Sequence, residues 1–158
     1  MITDMLPEHI VGEYRETRLT YFDEHSRIIL YTDIETPYPD GKLIVSTTTP
    51  DGIISHLNLA FEEMSGFSKE ELLGAPHYIL RHPDMPPAAF KDLWETVKRG
   101  EKWQGIVKNL RKDGGYYWVK ATVIPNVRGG KIVGYTSVRR KPSRRLVEEC
   151  IKTYPTLF

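Results

Sequence analysis

The stretch WQGIVKNLRKDGGYYWVKATVIPNVRGGKIVGYTSVRRKP, residues 103–142, decides the fold. It divides into three runs rich in β-branched and aromatic residues, 103–111, 116–125 and 131–139. Lys112-Asp113-Gly114-Gly115 joins the first two, and residues 126–130, ending in Gly129-Gly130, join the second pair. Both joints are rich in residues that accept positive φ, as tight antiparallel turns require. The spacing therefore predicts a three-stranded meander. Pro142 cannot continue a strand ladder, and residues 144–154 read as an exit helix.

Upstream, residues 43–48 and 53–56 are short extended runs around Thr49-Pro50-Asp51-Gly52, which reads as a hairpin turn. Leu59, Phe61 and Met64 then approach helical spacing up to Gly66. Ser68 with Glu71 three residues on is a capping-box pattern, closed by Gly74. Asp84-Met85-Pro86-Pro87 opens a longer helix, because proline is tolerated in a first turn. Phe90, Leu93, Trp94 and Val97 form its apolar stripe, and Gly100 ends it.

Two strands, a helical block and three strands predict an α+β domain. Its antiparallel sheet has five strands, with short helices over one face forming a pocket. That domain spans 42–141, followed by a connector helix over 142–158 leading to an effector. Residues 1–41 are expected to be an N-terminal extension or cap. Within them 27–31 reads as a strand, and Thr36-Pro37-Tyr38-Pro39-Asp40-Gly41 as a linker.

A chain of 158 residues can bury roughly 70% of its extended surface, so it needs no disulfide or metal staple. Its net charge of +1 provides no global attraction to nucleic acid or anionic lipid. Cys150 is the single cysteine, which fits a reducing, cytoplasmic setting. Residues 1–20 lack an apolar signal-peptide core, and no run approaches the ~20 apolar residues of a membrane span.

Candidate ligand-binding residues cluster in three places. Arg81 is a permanent cation whose planar fork suits phosphate, and His82 adds a donor. With Asp84 they precede a helix N-terminus, itself suited to an anion. The competing reading is that Asp84 caps the helix and Arg81 makes a surface ion pair. Trp103 and Asn109 share one strand face by alternation, with Arg111 two residues further on. An aromatic with an amide suits a planar heterocycle with a polar edge; the alternative is a core tryptophan and an amide that satisfies backbone groups. Asn58 is a strong helix N-cap in its own right. Phe90 is a possible pocket wall, while Phe61 and Trp94 read as core. Of Tyr116, Tyr117 and Trp118, alternation sends Tyr117 opposite its neighbours, so one aromatic is expected to be exposed or buried in a dimer contact. The five histidines show no zinc spacing, and no phosphate loop or nucleophile elbow occurs, so an enzyme is not expected.

The strings GIISHLNLAFEEMSGFSKEELLG (52–74), RHPDMPPAAFKDLW (81–94), WQGIVKN (103–109), KDGGYYWV (112–119) and GYTSVRRKP (134–142) together resemble the PAS fold. Arg81-His82-Pro83-Asp84-Met85-Pro86 further resembles the PAS domain of bacterial aerotaxis receptors. That resemblance implies non-covalent FAD and a redox (energy) sensor reporting to a chemotaxis-type signalling partner. It also implies roles in flavin binding for Arg81, His82, Asp84, Trp103 and Asn58. Asn109 is expected to be the amide that responds to reduction, and a dimer is expected. The alternatives are FMN in place of FAD, a haem gas sensor with His77 or His82 as ligand, or a cofactor-free module for dimerisation or small ligands. A light-sensing cysteine chemistry is not expected, because Cys150 lies outside the helical block.

Overall fold

The computed structural model describes residues 2–158. Five strands form one antiparallel sheet: β3 (Ile44–Thr48), β4 (Ile54–Leu57), β5 (Trp103–Leu110), β6 (Tyr116–Arg128) and β7 (Lys131–Arg140). The spatial order is β4-β3-β7-β6-β5, so the two-strand hairpin and the three-strand meander meet where β3 pairs with β7. The meander's register runs from Trp103 opposite Val123 to Leu110 opposite Tyr116, and from Lys120 opposite Arg140 to Arg128 opposite Lys131. These are the strands expected from the sequence, with β6 extended three residues beyond Pro125.

The helical block lies over one face. Helix α1 (Leu59–Ser65) starts at Asn58, whose Oδ1 accepts from the Phe61 amide, and ends at Gly66 in the left-handed region. Helix α2 (Lys69–Leu72) carries the full Ser68–Glu71 capping box. A 3-10 turn (His77–Leu80) precedes α3 (Pro87–Lys98), whose N-cap position is Pro86 rather than Asp84. Helix α4 (Arg144–Thr153) crosses the opposite face of the sheet.

On that opposite face Trp118 and Ile106 pack with Val147 of α4 and with Tyr154 just beyond it. The expectation that an outward aromatic of 116–118 would be exposed or held in a dimer contact is thus corrected. Trp118 is buried, and the chain's own α4 covers it.

The N-terminal segment departs most from expectation. Besides β2 (Ser26–Tyr31) it contains β1 (Arg15–Thr20), and the two form a separate antiparallel hairpin. β1 has no core face and is half or fully exposed throughout. Ile29 and Leu30 of β2 are buried. The segment is tied to the domain by Thr32 N–H donating to Gly114 at 2.8 Å and by Glu35 bridging Tyr116 in parallel. Among the described residues no helix is long and apolar enough to cross a membrane.

Candidate functional site

The pleat explains what the sheet offers its helical layer. Alternate residues of β5, β6 and β7 face inward: Trp103, Val107 and Asn109; Val119, Ala121 and Val123; Tyr135, Ser137 and Arg139. They floor a cavity of about 740 Å³, within the range of about 300–1,000 Å³ common for cofactor sites. The α3 stripe roofs it with Phe90, Leu93 and Trp94, and only Val97 at its end is fully buried. A stripe that reads as core in the sequence is only half-buried because it faces this space.

Trp103 is fixed from two sides. Its indole N–H donates to Asp92 of α3 at 2.8 Å. Its ring lies over Gly105, where a Cβ would stand 2.6 Å from Cζ2. The glycine lets the ring lie against the sheet instead of filling the cavity.

The inner end of the cavity is cationic. Arg139 is 2% exposed; it donates to Ser46 Oγ at 2.6 Å and from Nη1 to His77 Nε2 at 3.0 Å, and its plane lies 4.7 Å from the Phe61 centroid. Arg139 has no acceptor atoms, so His77 Nε2 must be the acceptor and its proton sits on Nδ1. Burial, reinforced by Arg139, pushes His77 down to about 3, and burial lowers Arg139 to about 10. At neutral pH this leaves a neutral imidazole against a charged guanidinium. Arg139 Nε is buried without a partner, as are Thr48 Oγ1 and Arg81 Nε, and all three residues line the cavity.

The Arg81-to-Asp84 string divides between two sides. Arg81 bridges Asn109 of β5, lies 5.0 Å over the Phe90 ring and lines the cavity. His82 turns away and sits edge-on between Tyr31 and Tyr116, 1% exposed. Its Nδ1 accepts from the Asp84 amide at 3.0 Å, and burial, with Lys108 nearby, pushes it down to about 3. Asp84 is half exposed and pairs with Lys108 at 2.8 Å. Met85 is buried beside them, its sulfur accepting from the Lys108 amide.

The structure thus brings together Arg81, Phe90, Trp103 and Asn109 on one cavity. It does not place His82, Asp84 or Asn58 there. His82 and Asp84 lock the loop to β5 and to the N-terminal segment. Asn58 spends its amide on the Phe61 and Val45 N–H groups and on the Leu43 carbonyl. Arg111 is also absent from the cavity, held by Asp113 and by the Met64 carbonyl. As for the alternative iron ligands, His77 reaches the cavity with Nε2 engaged by Arg139, and His82 does not reach it.

Arg139 was not among the expected site residues, and His77 was expected there only as an iron ligand, whereas it accepts from Arg139. The signal for Arg139 was present: alternation puts Tyr135, Ser137 and Arg139 on one face, so a cation followed two inward residues. Tyr21 and Phe22, at the β1–β2 tip, were also missed although they line the cavity's outer wall.

Residues 54–139 match the PAS fold family. The chain belongs to that family. It is 51% identical over 110 residues to the aerotaxis receptor of Escherichia coli (strain K12), covering 70% of this chain and 22% of the receptor. It is 34% identical over 94 residues to the biofilm dispersion protein BdlA of Pseudomonas aeruginosa, covering 56% of this chain and 22% of that protein. A light-oxygen-voltage domain solved in work on a flavin analogue superposes with a TM-score of 0.61 at 26% identity, covering 72% of this chain and 86% of that one. The chain spans about a fifth of the length of these two curated relatives. The PAS chain is thus a sensor-type domain of signal-transduction proteins, matching a small part of much longer proteins.

Proposed function

We propose that this PAS chain is a redox sensor that holds FAD non-covalently in the cavity between the sheet and α3 and reports to a signalling partner. The cavity itself carries the reading. It combines a flat aromatic and aliphatic lining with unpartnered donors at both ends, which fits a planar heterocycle joined to phosphates. The likeness to the aerotaxis receptor and to a light-oxygen-voltage domain supports the same reading.

A bound flavin would supply reversible electron and proton uptake. The chain's own residues would do the rest. Trp103 and the α3 stripe hold the ring and exclude water. Asn109, 5% exposed on the floor, offers an amide that can donate or accept as the facing edge changes protonation. Arg139 presents a permanent positive charge to the polar edge of the ring, and His77 holds that guanidinium in place. Arg81, on the same cavity, would hold the phosphates. The change passes through β5 and β6 to α4 on the far face, the proposed connector over 142–158. Biasing a two-state contact there needs only a few kcal/mol. Dimerisation, a cytoplasmic setting and a non-enzymatic role belong to the same proposal.

The test is the purified protein's visible spectrum with chromatography of acid-released cofactor. Two flavin bands and FAD in the supernatant are expected. A Soret band or a colourless protein would overturn the reading, and FMN in the supernatant would overturn its dinucleotide part.

A further inference from the structure

The β1–β2 hairpin lies outside the five-stranded sheet, yet its tip forms part of the cavity wall. Thr20, Tyr21 and Phe22 line the cavity's outer end. The tip is pinned to the 3-10 turn on the domain. The Tyr21 ring stacks on Tyr78 with centroids 3.8 Å apart and planes within 3°, and the Tyr78 hydroxyl donates to Asp23 at 2.8 Å. Arg27 of β2 reaches the Ile79 carbonyl at 3.1 Å. Glu24 takes the left-handed conformation, φ 70°, that closes the turn, with Tyr21 N–H donating to the His25 carbonyl. The tip is therefore a fixed wall.

Phe22, in contrast, is 74% exposed although it sits edge-on to Tyr78 at 5.9 Å on the rim of the cavity. No described residue covers it. Arg81 Nε, on the same cavity, is buried without a hydrogen-bond partner. Tyr21 is close enough to Arg81 to feel its charge. An aromatic rim beside that cation fits a flat base joined to an anionic group.

We infer that the β1–β2 tip is the adenine subsite: Phe22, backed by the Tyr21–Tyr78 stack, covers the purine of the dinucleotide whose phosphates lie at Arg81. The inference rests on the FAD reading and deepens it. The hairpin then selects FAD over FMN, because only the dinucleotide extends beyond Arg81 to the rim. Base stacking on one aromatic side chain is worth about tenfold in affinity, or about 1.4 kcal/mol.

The experiment titrates the full apo-chain separately with FAD and with FMN, as wild type and as Phe22→Ala and Phe22→Trp. Phe22 is exposed, so neither variant should change the melting temperature. Expected are a wild-type preference for FAD, a loss of about tenfold in FAD affinity with FMN affinity unchanged in Phe22→Ala, and recovery in Phe22→Trp. Equal affinity of the wild type for both flavins overturns the subsite, as does a Phe22→Ala chain that keeps its FAD preference or weakens both flavins alike. A wild type that takes neither flavin overturns the FAD reading and the subsite with it.

Discussion

The Arg139 guanidinium donates to His77 Nε2 at 3.0 Å, and no carboxylate among the described residues pairs with it. A buried cation without a counter-charge costs desolvation that neutral partners do not repay, and under the proposed flavin reading the ligand would answer it. Removing the charge relieves that cost but strands His77 Nε2 and Ser46 Oγ, so the two effects oppose each other. Arg139→Met is therefore expected to change the melting temperature of the apo-chain little while weakening flavin by about tenfold or more, as loss of a charged hydrogen bond implies. Calorimetry and a flavin titration check both halves. A destabilised chain with undiminished flavin affinity would make Arg139 structural.

Gly105 tests the floor without touching a polar group. A methyl there would collide with the Trp103 ring and drive it into the cavity. Gly105→Ala is expected to cost about 1–3 kcal/mol of stability by overpacking, and to abolish flavin retention. Trp103→Ala, which removes the ring and its hydrogen bond to Asp92 without any collision, should cost about 3–5 kcal/mol and lose the flavin as well. Denaturant melts and cofactor occupancy read the outcome.

Acid sensitivity should arise first from His77 and His82. Both are held at about 3 when folded, against an ordinary value of 6.5. The unfolded chain therefore binds more protons between those values, so stability is full above about 6.5 and falls as pH drops toward 3. Each histidine contributes a slope of up to about 1.4 kcal/mol per pH unit in that window. Asp84, where the Lys108 partner outweighs burial and holds the carboxyl below its ordinary range, adds its loss only at lower pH. Urea melts from pH 7 to pH 4.5 should show the slope in the wild type and roughly half of it in His82→Gln. A flat profile would contradict the buried neutral assignments.

Helix α4 depends on a small apolar contact. Val147 is 1% exposed against Trp118 and Ile106. Val147→Asp would bury an unpaired carboxylate there, so the helix should undock while the sheet and cavity persist. Hydrogen exchange is expected to accelerate in residues 144–153 and in the outward amides of β5, with flavin occupancy retained. If flavin is lost along with α4, the two faces of the sheet are not separable units.

The meander, the hairpin and α3 were legible in the sequence because each has a period that matches its burial. β1 was not. Its residues Arg15–Thr20 have no core face, and only pairing with β2 makes them a strand. The site was half legible. Trp103 and Asn109 follow from alternation on one strand, and Arg81 and Phe90 from the loop and stripe beside them. His82 and Asp84 look like ligand residues in the string, but the chain turns at 82–85, with the Met85 N–H donating to the His82 carbonyl, and their side chains meet Tyr31, Tyr116 and Lys108 instead. The Tyr21 and Phe22 wall depends on a hairpin folding back about 55 residues in sequence, from Tyr21 onto Tyr78, which no local pattern records.

The most direct test of the central claim is a two-dimensional NMR titration of the isotope-labelled apo-chain with FAD. Trp103 lies on the cavity floor, whereas Trp118 lies on the other face of the sheet beneath α4. FAD in the cavity should strongly shift the Trp103 indole N–H, the Asn109 side-chain amide and the Phe22 backbone amide, with the Trp118 indole little moved. Large shifts at Trp118 with Trp103 and Asn109 unmoved would contradict that placement.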